Sequence, residues 1–264
     1  MSVQLTPAYL KKLCRELKLY SSCPELNDIL HLQCKGIAKI ESLDEYTGLK
    51  TLYLEQNAIM VIENLDKLVN MRCLYLGRNI IHSITGLENL VLLETLDLSE
   101  NCISSLKGIE HLVLLRSLTL YRNRIETVED LEPIKALVNL QSLDISQNKL
   151  EEPETIQLLT GLPLLYLKAM GNPGVSKIRH YRKYMLVSMP NLNYLDESPC
   201  FPSERRLAEA FMEGGVEAER QMRVTIKEEE AAKAERHRQA FDDMIARARL
   251  NPPPPHDPRQ FIAR

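Results

Sequence analysis

Six histidines and six cysteines are the residues of this chain whose types could hold a metal or begin a nucleophilic attack. A zinc site gathers such side chains in close pairs, and metal-assisted hydrolysis uses His-Glu-x-x-His on one helical face. Neither pattern occurs. His31, His82, His111, His180, His237 and His256 stand apart from any Cys or carboxylate set. Cys14, Cys23, Cys34, Cys73, Cys102 and Cys200 contain no Cys-x-x-Cys pair and read as reduced thiols, most of them in core or cap positions. There is no Gly-x-x-x-x-Gly-Lys-Ser/Thr phosphate cradle and no Gly-x-Ser-x-Gly elbow. Gly171-Asn172-Pro173-Gly174 has the composition of an anion loop but falls in a repeat turn. No catalytic residue, metal or cofactor is expected, and the chain does not read as an enzyme.

The spacing that does organise the chain belongs to an amide. Asn57, Asn79, Asn101 and Asn123 follow one another at 22 residues each time. Each sits in one frame, as in Leu49-x-x-Leu52-x-Leu54-x-x-Asn57-x-Ile59. Leu-x-Leu is a strand pattern, with neighbouring side chains on opposite faces. The Asn follows where the chain must turn, and its amide can donate and accept for backbone groups the turn leaves unpaired. This is the leucine-rich-repeat signature, an α/β solenoid in which neighbouring units cover one another's apolar faces. An earlier strand lies at Leu30 and Leu32, with Lys35 where the Asn would stand. Later ones end at Asn148 and Asn172, after longer steps of 25 and 24 residues that predict helices on the returning side. About seven parallel strands are expected, with Asn57, Asn79, Asn101, Asn123, Asn148 and Asn172 as a ladder of turn residues.

Solenoid ends are apolar and need covers. A helical N-terminal cap is expected over residues 1–25, with Leu10, Leu13, Cys14 and Leu17 on one face, and repeats over 26–175. A C-terminal cap is expected over 176–202, with Asn191-Leu192-x-Tyr194-Leu195 as a degenerate last strand. Residues 203–250 read as a charged helical extension broken at Gly214-Gly215, and 251–264 as a proline-rich disordered tail. Within the extension, Phe241, Met244, Ile245 and Ala248 form a short apolar face.

The formal net charge of −3 lacks the basic excess of a generic nucleic-acid binder. No run nears the roughly 18 apolar residues of a membrane span, and no signal peptide or Asn-x-Ser/Thr acceptor is visible. The reading is an intracellular chain, monomeric on its own, that binds neither nucleic acid nor membrane.

Specificity should then lie on the concave sheet face. Between the strand leucines lie His31, Tyr53, Tyr75, Asp97, Thr119, Asp144 and Lys168. After the second leucine come Gln33, Glu55, Gly77, Ser99, Tyr121, Ser146 and Met170, and next to them Gln56, Arg78, Glu100, Arg122 and Gln147. Tyr and Arg are enriched at interaction hot spots. Tyr53, Glu55, Tyr75, Arg78, Glu100, Tyr121 and Arg122 are the candidate protein-binding set; the bland alternative is a solvated face with its arginines paired to Glu55 and Glu100.

The period with LxxLxLxxNxI resembles the phosphatase-regulator-like class of leucine-rich repeats, cytosolic or nuclear proteins that bind proteins. Five segments are more specific: PELNDILHLQCKG at 24–36, IESLDEYTGLKTLYLEQNAI at 40–59, ETVEDLEPI at 126–134, HYRKYMLVSMPNLNYLDESPCFPSERRLAEAF at 180–211 and EGGVEAER at 213–220. Together they resemble the dynein axonemal assembly factor 1 family of leucine-rich-repeat proteins. That resemblance implies a non-enzymatic scaffold for cytoplasmic preassembly of ciliary or flagellar dynein arms, working with axonemal dynein chains, chaperones and other assembly factors. The repeat class alone leaves a phosphatase-targeting subunit or a structural axonemal component as alternatives.

Overall fold

The computed structural model describes residues 3–17, 21 and 23–250. The proline-rich tail at 251–264 and the side chains of Leu17 and Ala248 lie outside the described residues. The chain divides after Phe201 into two units.

In the first unit, three-residue strands recur at the repeat spacing, each centred on an inward-pointing leucine. They are β1 (Ile29–His31), β2 (Thr51–Tyr53), β3 (Cys73–Tyr75), β4 (Thr95–Asp97), β5 (Ser117–Thr119), β6 (Ser142–Asp144) and β7 (Tyr166–Lys168). β8 (Tyr194–Leu195) continues the parallel series, and β9 (Ser198–Pro199) pairs with it antiparallel. The sheet has nine strands in sequence order. Register is strict: Leu30, Leu52, Leu74, Leu96, Leu118, Leu143, Leu167 and Leu195 stand in one row, all buried. One middle rung adds buried Leu93, Leu98, Ile103, Leu106, Ile109 and Leu112. No rung could keep these from water by itself, so the core is a continuous column shared between neighbours.

The ladder asparagines hold the turns. Nδ2 of Asn79 donates to Leu76 O of its own rung (2.9 Å) and to Leu54 O of the rung before (3.0 Å). Its Oδ1 accepts from the Ile59 amide, also of the rung before, at 3.1 Å. Asn57, Asn101, Asn123, Asn148 and Asn172 repeat this arrangement. Each asparagine thus serves its predecessor. Lys35 opens the series and has no earlier rung to serve; its own amide donates to Asn57 Oδ1 at 3.1 Å.

The two longer steps carry helix. α1 (Pro7–Leu17) precedes the sheet, with Thr6 Oγ1 accepting from the Tyr9 amide and Leu10, Leu13 and Cys14 buried. α2 (Val128–Leu131) starts at a Thr127/Asp130 capping box, and α3 (Pro153–Leu159) begins with proline in its first turn. α4 (Pro173–Lys177) and α5 (Tyr181–Ser188) follow β7. The Arg182 guanidinium donates to Leu195 O (3.3 Å) and Pro199 O (2.8 Å), pinning the β8–β9 corner. All six cysteines are free thiols, and Cys14, Cys23 and Cys200 lie in the cap segments; Cys14 is buried, Cys23 and Cys34 are exposed, and Cys73, Cys102 and Cys200 are half-buried. Cys73 occupies an outward strand position and Cys102 follows a ladder Asn, so both lie beside the leucine row.

The second unit is α6 (Pro202–Leu250), interrupted at Gly215, whose φ of 71° and ψ of −155° are not helical. Arg206 and Glu229 meet across that break in a two-bond pair at 2.5 and 2.9 Å. Among the described residues no helix is long and apolar enough to cross a membrane.

Candidate functional site

The concave face is built by the strand residues that alternate with the buried leucines. Parallel strands in register stand about 4.8 Å apart, and like residues at one position must therefore stack. The His31 and Tyr53 rings lie 4.6 Å apart at 10°, and Tyr53 and Tyr75 lie 4.7 Å apart at 4°. Burial raises the Tyr75 hydroxyl above its ordinary range. At the other end, Tyr166 and Tyr194 stack at 6.1 Å from the first strand position.

Beside the aromatic stack lies a recess of about 370 Å³. Gln33, Glu55, Gln56, Gly77, Arg78, Asp97, Ser99 and Glu100 line it. Of the sequence-predicted set, Glu55, Arg78 and Glu100 come together here, with Tyr53 and Tyr75 nearby at the ends of β2 and β3. Tyr121 and Arg122 belong to the β5 rung. The Arg122 guanidinium lies 5.1 Å from the Tyr121 ring centroid and 3.5 Å from Glu100. Arg78 Nε donates to Glu100 Oε1 at 2.8 Å. That bond raises the Arg78 pKa and holds the Glu100 carboxyl below its usual range. Both groups face solvent, so the pair orients side chains more than it stabilises the fold.

Glu55 behaves differently. Its Oε2 is buried and has no hydrogen-bond partner, and Gln33 Oε1 is in the same state. Burial raises the Glu55 carboxyl above its usual range; Asp97 adds repulsion, while the backbone amide and His31 pull the other way. The folded state therefore holds the proton more tightly than the unfolded chain. Stability is lost as pH rises from the unfolded carboxyl value, about 4.3, through the raised folded value. Glu55→Gln should accordingly melt above the parent at pH 7 and lose that advantage near pH 3.5. An equal advantage at both pH values would mean that the carboxyl charge is not its source.

One feature of this face has no signal in residue type. Cys34, Gln56, Arg78, Glu100, Arg122 and Gln147 all adopt left-handed backbone, with φ between 51° and 58°. Each stands one residue before the ladder position, and each amide bonds a carbonyl of the next rung, as Arg78 N does to Ser99 O at 2.8 Å. Glycine or asparagine would mark such a turn; here the 22-residue spacing marks it. Among the described residues no group of three or more His, Cys, Asp or Glu side chains could hold a metal ion.

Two leucine-rich-repeat family models match the chain, one over residues 91–225 and a two-copy model over 47–89. The leucine-rich repeat-containing protein ODA7 of Chlamydomonas reinhardtii is 47% identical over 249 residues, covering 93% of this chain and 57% of that protein. Dynein axonemal assembly factor 1 of Mus musculus is 57% identical over 221 residues, covering 83% of this chain and 35% of its own length. The Aedes aegypti homolog is 52% identical over 226 residues, covering 84% of this chain and 20% of its own length. This chain thus spans only part of the length of these relatives. Two internalins of Listeria monocytogenes share the fold at 23% identity. InlF has a TM-score of 0.54 and covers 77% of this chain and 66% of its own; InlC2 has 0.56 and covers 71% and 81%.

Proposed function

Because the chain belongs to the leucine-rich-repeat family and is homologous over most of its length to dynein axonemal assembly factor 1 and ODA7, we propose that it is a non-enzymatic scaffold for assembling axonemal dynein arms. The homology carries this reading, since repeats alone serve many unrelated adaptors. On it, the chain holds dynein chains together with chaperones or other assembly factors in the cytoplasm before the arms enter the cilium or flagellum. The concave face supports a protein-binding role through its stacked Tyr53 and Tyr75 and its oriented Arg78, Glu100 and Arg122.

Affinity capture of the tagged protein from a flagellate lysate tests the reading. Dynein chains and chaperones should be recovered. Recovery of a phosphatase catalytic subunit without them would favour a targeting subunit instead. Retention on demembranated axonemes with no soluble pool would identify a structural component. Tyr75→Ala combined with Arg78→Ala should leave melting within a few degrees of the parent. It should weaken partner capture about thirtyfold, as expected for the loss of roughly 2 kcal/mol of hot-spot contact. Unchanged capture would move the binding surface off this face.

A further inference from the structure

We infer that the recess over Gly77 seats an arginine side chain presented by a segment of a partner protein. This rests on the concave face being the partner surface, and it names the chemistry that the surface reads.

Gly77 opens the recess. Its neighbours at the same rung position are Glu55 and Ser99, and the missing side chain leaves a gap between them. A Cβ at Gly77 would lie 2.7 Å from Ser99 Oγ and 3.5 Å from each carboxylate oxygen of Asp97. Asp97 therefore faces this gap from one side and Glu55 from the other. The unpartnered buried atoms here, Glu55 Oε2 and Gln33 Oε1, are both acceptors. An acceptor shielded from water and given no donor is costly, and a side-chain rotation that turned Glu55 Oε2 to a donor seated in the recess would remove that cost. The nearby cation does not supply it, because Arg78 is turned to Glu100 at 2.8 Å. Arg122 is likewise directed to Glu100, at 3.5 Å, so Glu55 and Asp97 are left as carboxylates of the recess without an ion pair.

Shape selects among cations. Tyr75, two residues before Gly77 on the same rung, ends the His31–Tyr53–Tyr75 stack and offers a flat ring beside the gap. A guanidinium is planar, carries five N–H donors and stacks on aromatic faces; an ammonium is a hydrated point charge that does neither as well. Two carboxylates and an amide oxygen, with an aromatic ring beside them, therefore favour arginine over lysine.

Fluorescence anisotropy on the whole chain tests this with a fluorescein-labelled peptide of alternating glycine and arginine. Peptides with lysine or citrulline in place of arginine complete the set. The arginine peptide should bind, the lysine peptide at least threefold more weakly, and the uncharged citrulline peptide at least tenfold more weakly. Glu55→Gln should lower arginine-peptide affinity at least tenfold, although it is expected to melt no lower than the parent at pH 7. Glu129→Gln, which removes the same charge from α2, should change affinity less than twofold. Absence of binding, equal binding of the citrulline peptide, or equal losses in Glu55→Gln and Glu129→Gln would overturn the inference. If Glu55→Gln keeps its cellular partners while the Tyr75/Arg78 double variant loses them, the arginine seat is wrong and the scaffold reading stands. If the double variant keeps them, the concave face itself is the wrong surface.

Discussion

Asn101→Ala is expected to lower the unfolding free energy by about 3 kcal/mol and the melting temperature by roughly 6–12 °C. Asn101 Oδ1 accepts from the buried Ile81 amide at 3.0 Å, and alanine would leave that donor buried without an acceptor. Nδ2 donates to Leu76 O (3.0 Å), Leu98 O (3.1 Å) and Ser99 O (3.1 Å). The loss is smaller than four bonds, because the carbonyls have second donors. Leu76 O also receives Asn79 Nδ2 and Leu98 O also receives Asn123 Nδ2, each at 2.9 Å. The orphaned Ile81 amide therefore dominates, at about 1–3 kcal/mol.

Asn101→Asp separates the two halves of the amide. It keeps the acceptor for Ile81 but places a second oxygen against the Leu76 and Leu98 carbonyls. A buried carboxylate aimed at acceptors favours its protonated form, so its folded pKa rises above the unfolded value of about 3.9. Stability is then lost as pH climbs from that unfolded value through the folded one. At pH 7 the Asp variant should melt below the Ala variant, and the order should narrow or reverse near pH 4, where the protonated acid donates one bond. Thermal melts at the two pH values check this; an Asp variant as stable as the parent at pH 7 would remove the donor role from the ladder.

The ladder could be read from the chain because one residue type recurs at one spacing, and the same period aligns Tyr53 with Tyr75 and so implies their stacking. Lys35 breaks the pattern for a reason that lies in the direction of the bonds: an asparagine there would have no preceding rung to bond. The left-handed residues before each Asn escape a reading by residue type, since Gln56, Arg78, Glu100, Arg122 and Gln147 carry no turn preference. Their conformation is imposed by the amide bond each makes to the next rung, which is a tertiary contact. The recess escapes for a related reason. Glu55 was legible as a candidate contact, but its unpartnered oxygen depends on Gly77 one rung away and on Arg78 turning to Glu100. The antiparallel β9 rests on Arg182 reaching forward to carbonyls 13 and 17 residues later, and no local pattern announces it.

Gly108→Ala should cost about 2–6 kcal/mol, through two separable terms. A φ of +108° is one that L side chains rarely adopt, worth roughly 1–3 kcal/mol. The new Cβ would also lie 2.2 Å from the Ile84 carbonyl oxygen. That atom belongs to backbone and cannot rotate away, so the rungs must separate, for roughly 1–3 kcal/mol more. The repeat itself offers a way to tell these terms apart. Ser42, Asn64, Gly86 and Gly108 form a second left-handed column at 22-residue steps, with φ of 62°, 58°, 69° and 108°. Asn64 tolerates its place because Nδ2 donates to the Ile40 carbonyl at 2.7 Å. Gly86 stands equivalently over the Ile62 carbonyl, 2.4 Å from where its Cβ would be, and its φ is only 11° from that of Asn64 (69 − 58). Gly108 is 50° away (108 − 58). Gly86→Asn should therefore cost less than Gly86→Ala, because a small backbone adjustment recovers the carbonyl bond. Gly108→Asn should recover little, because the required rotation would carry the turn away from Ile84. Denaturant melts of the four variants would show the ordering. Equal costs for the two asparagine variants would mean that close approach of the rungs, and not the backbone angle, decides which residues this column accepts.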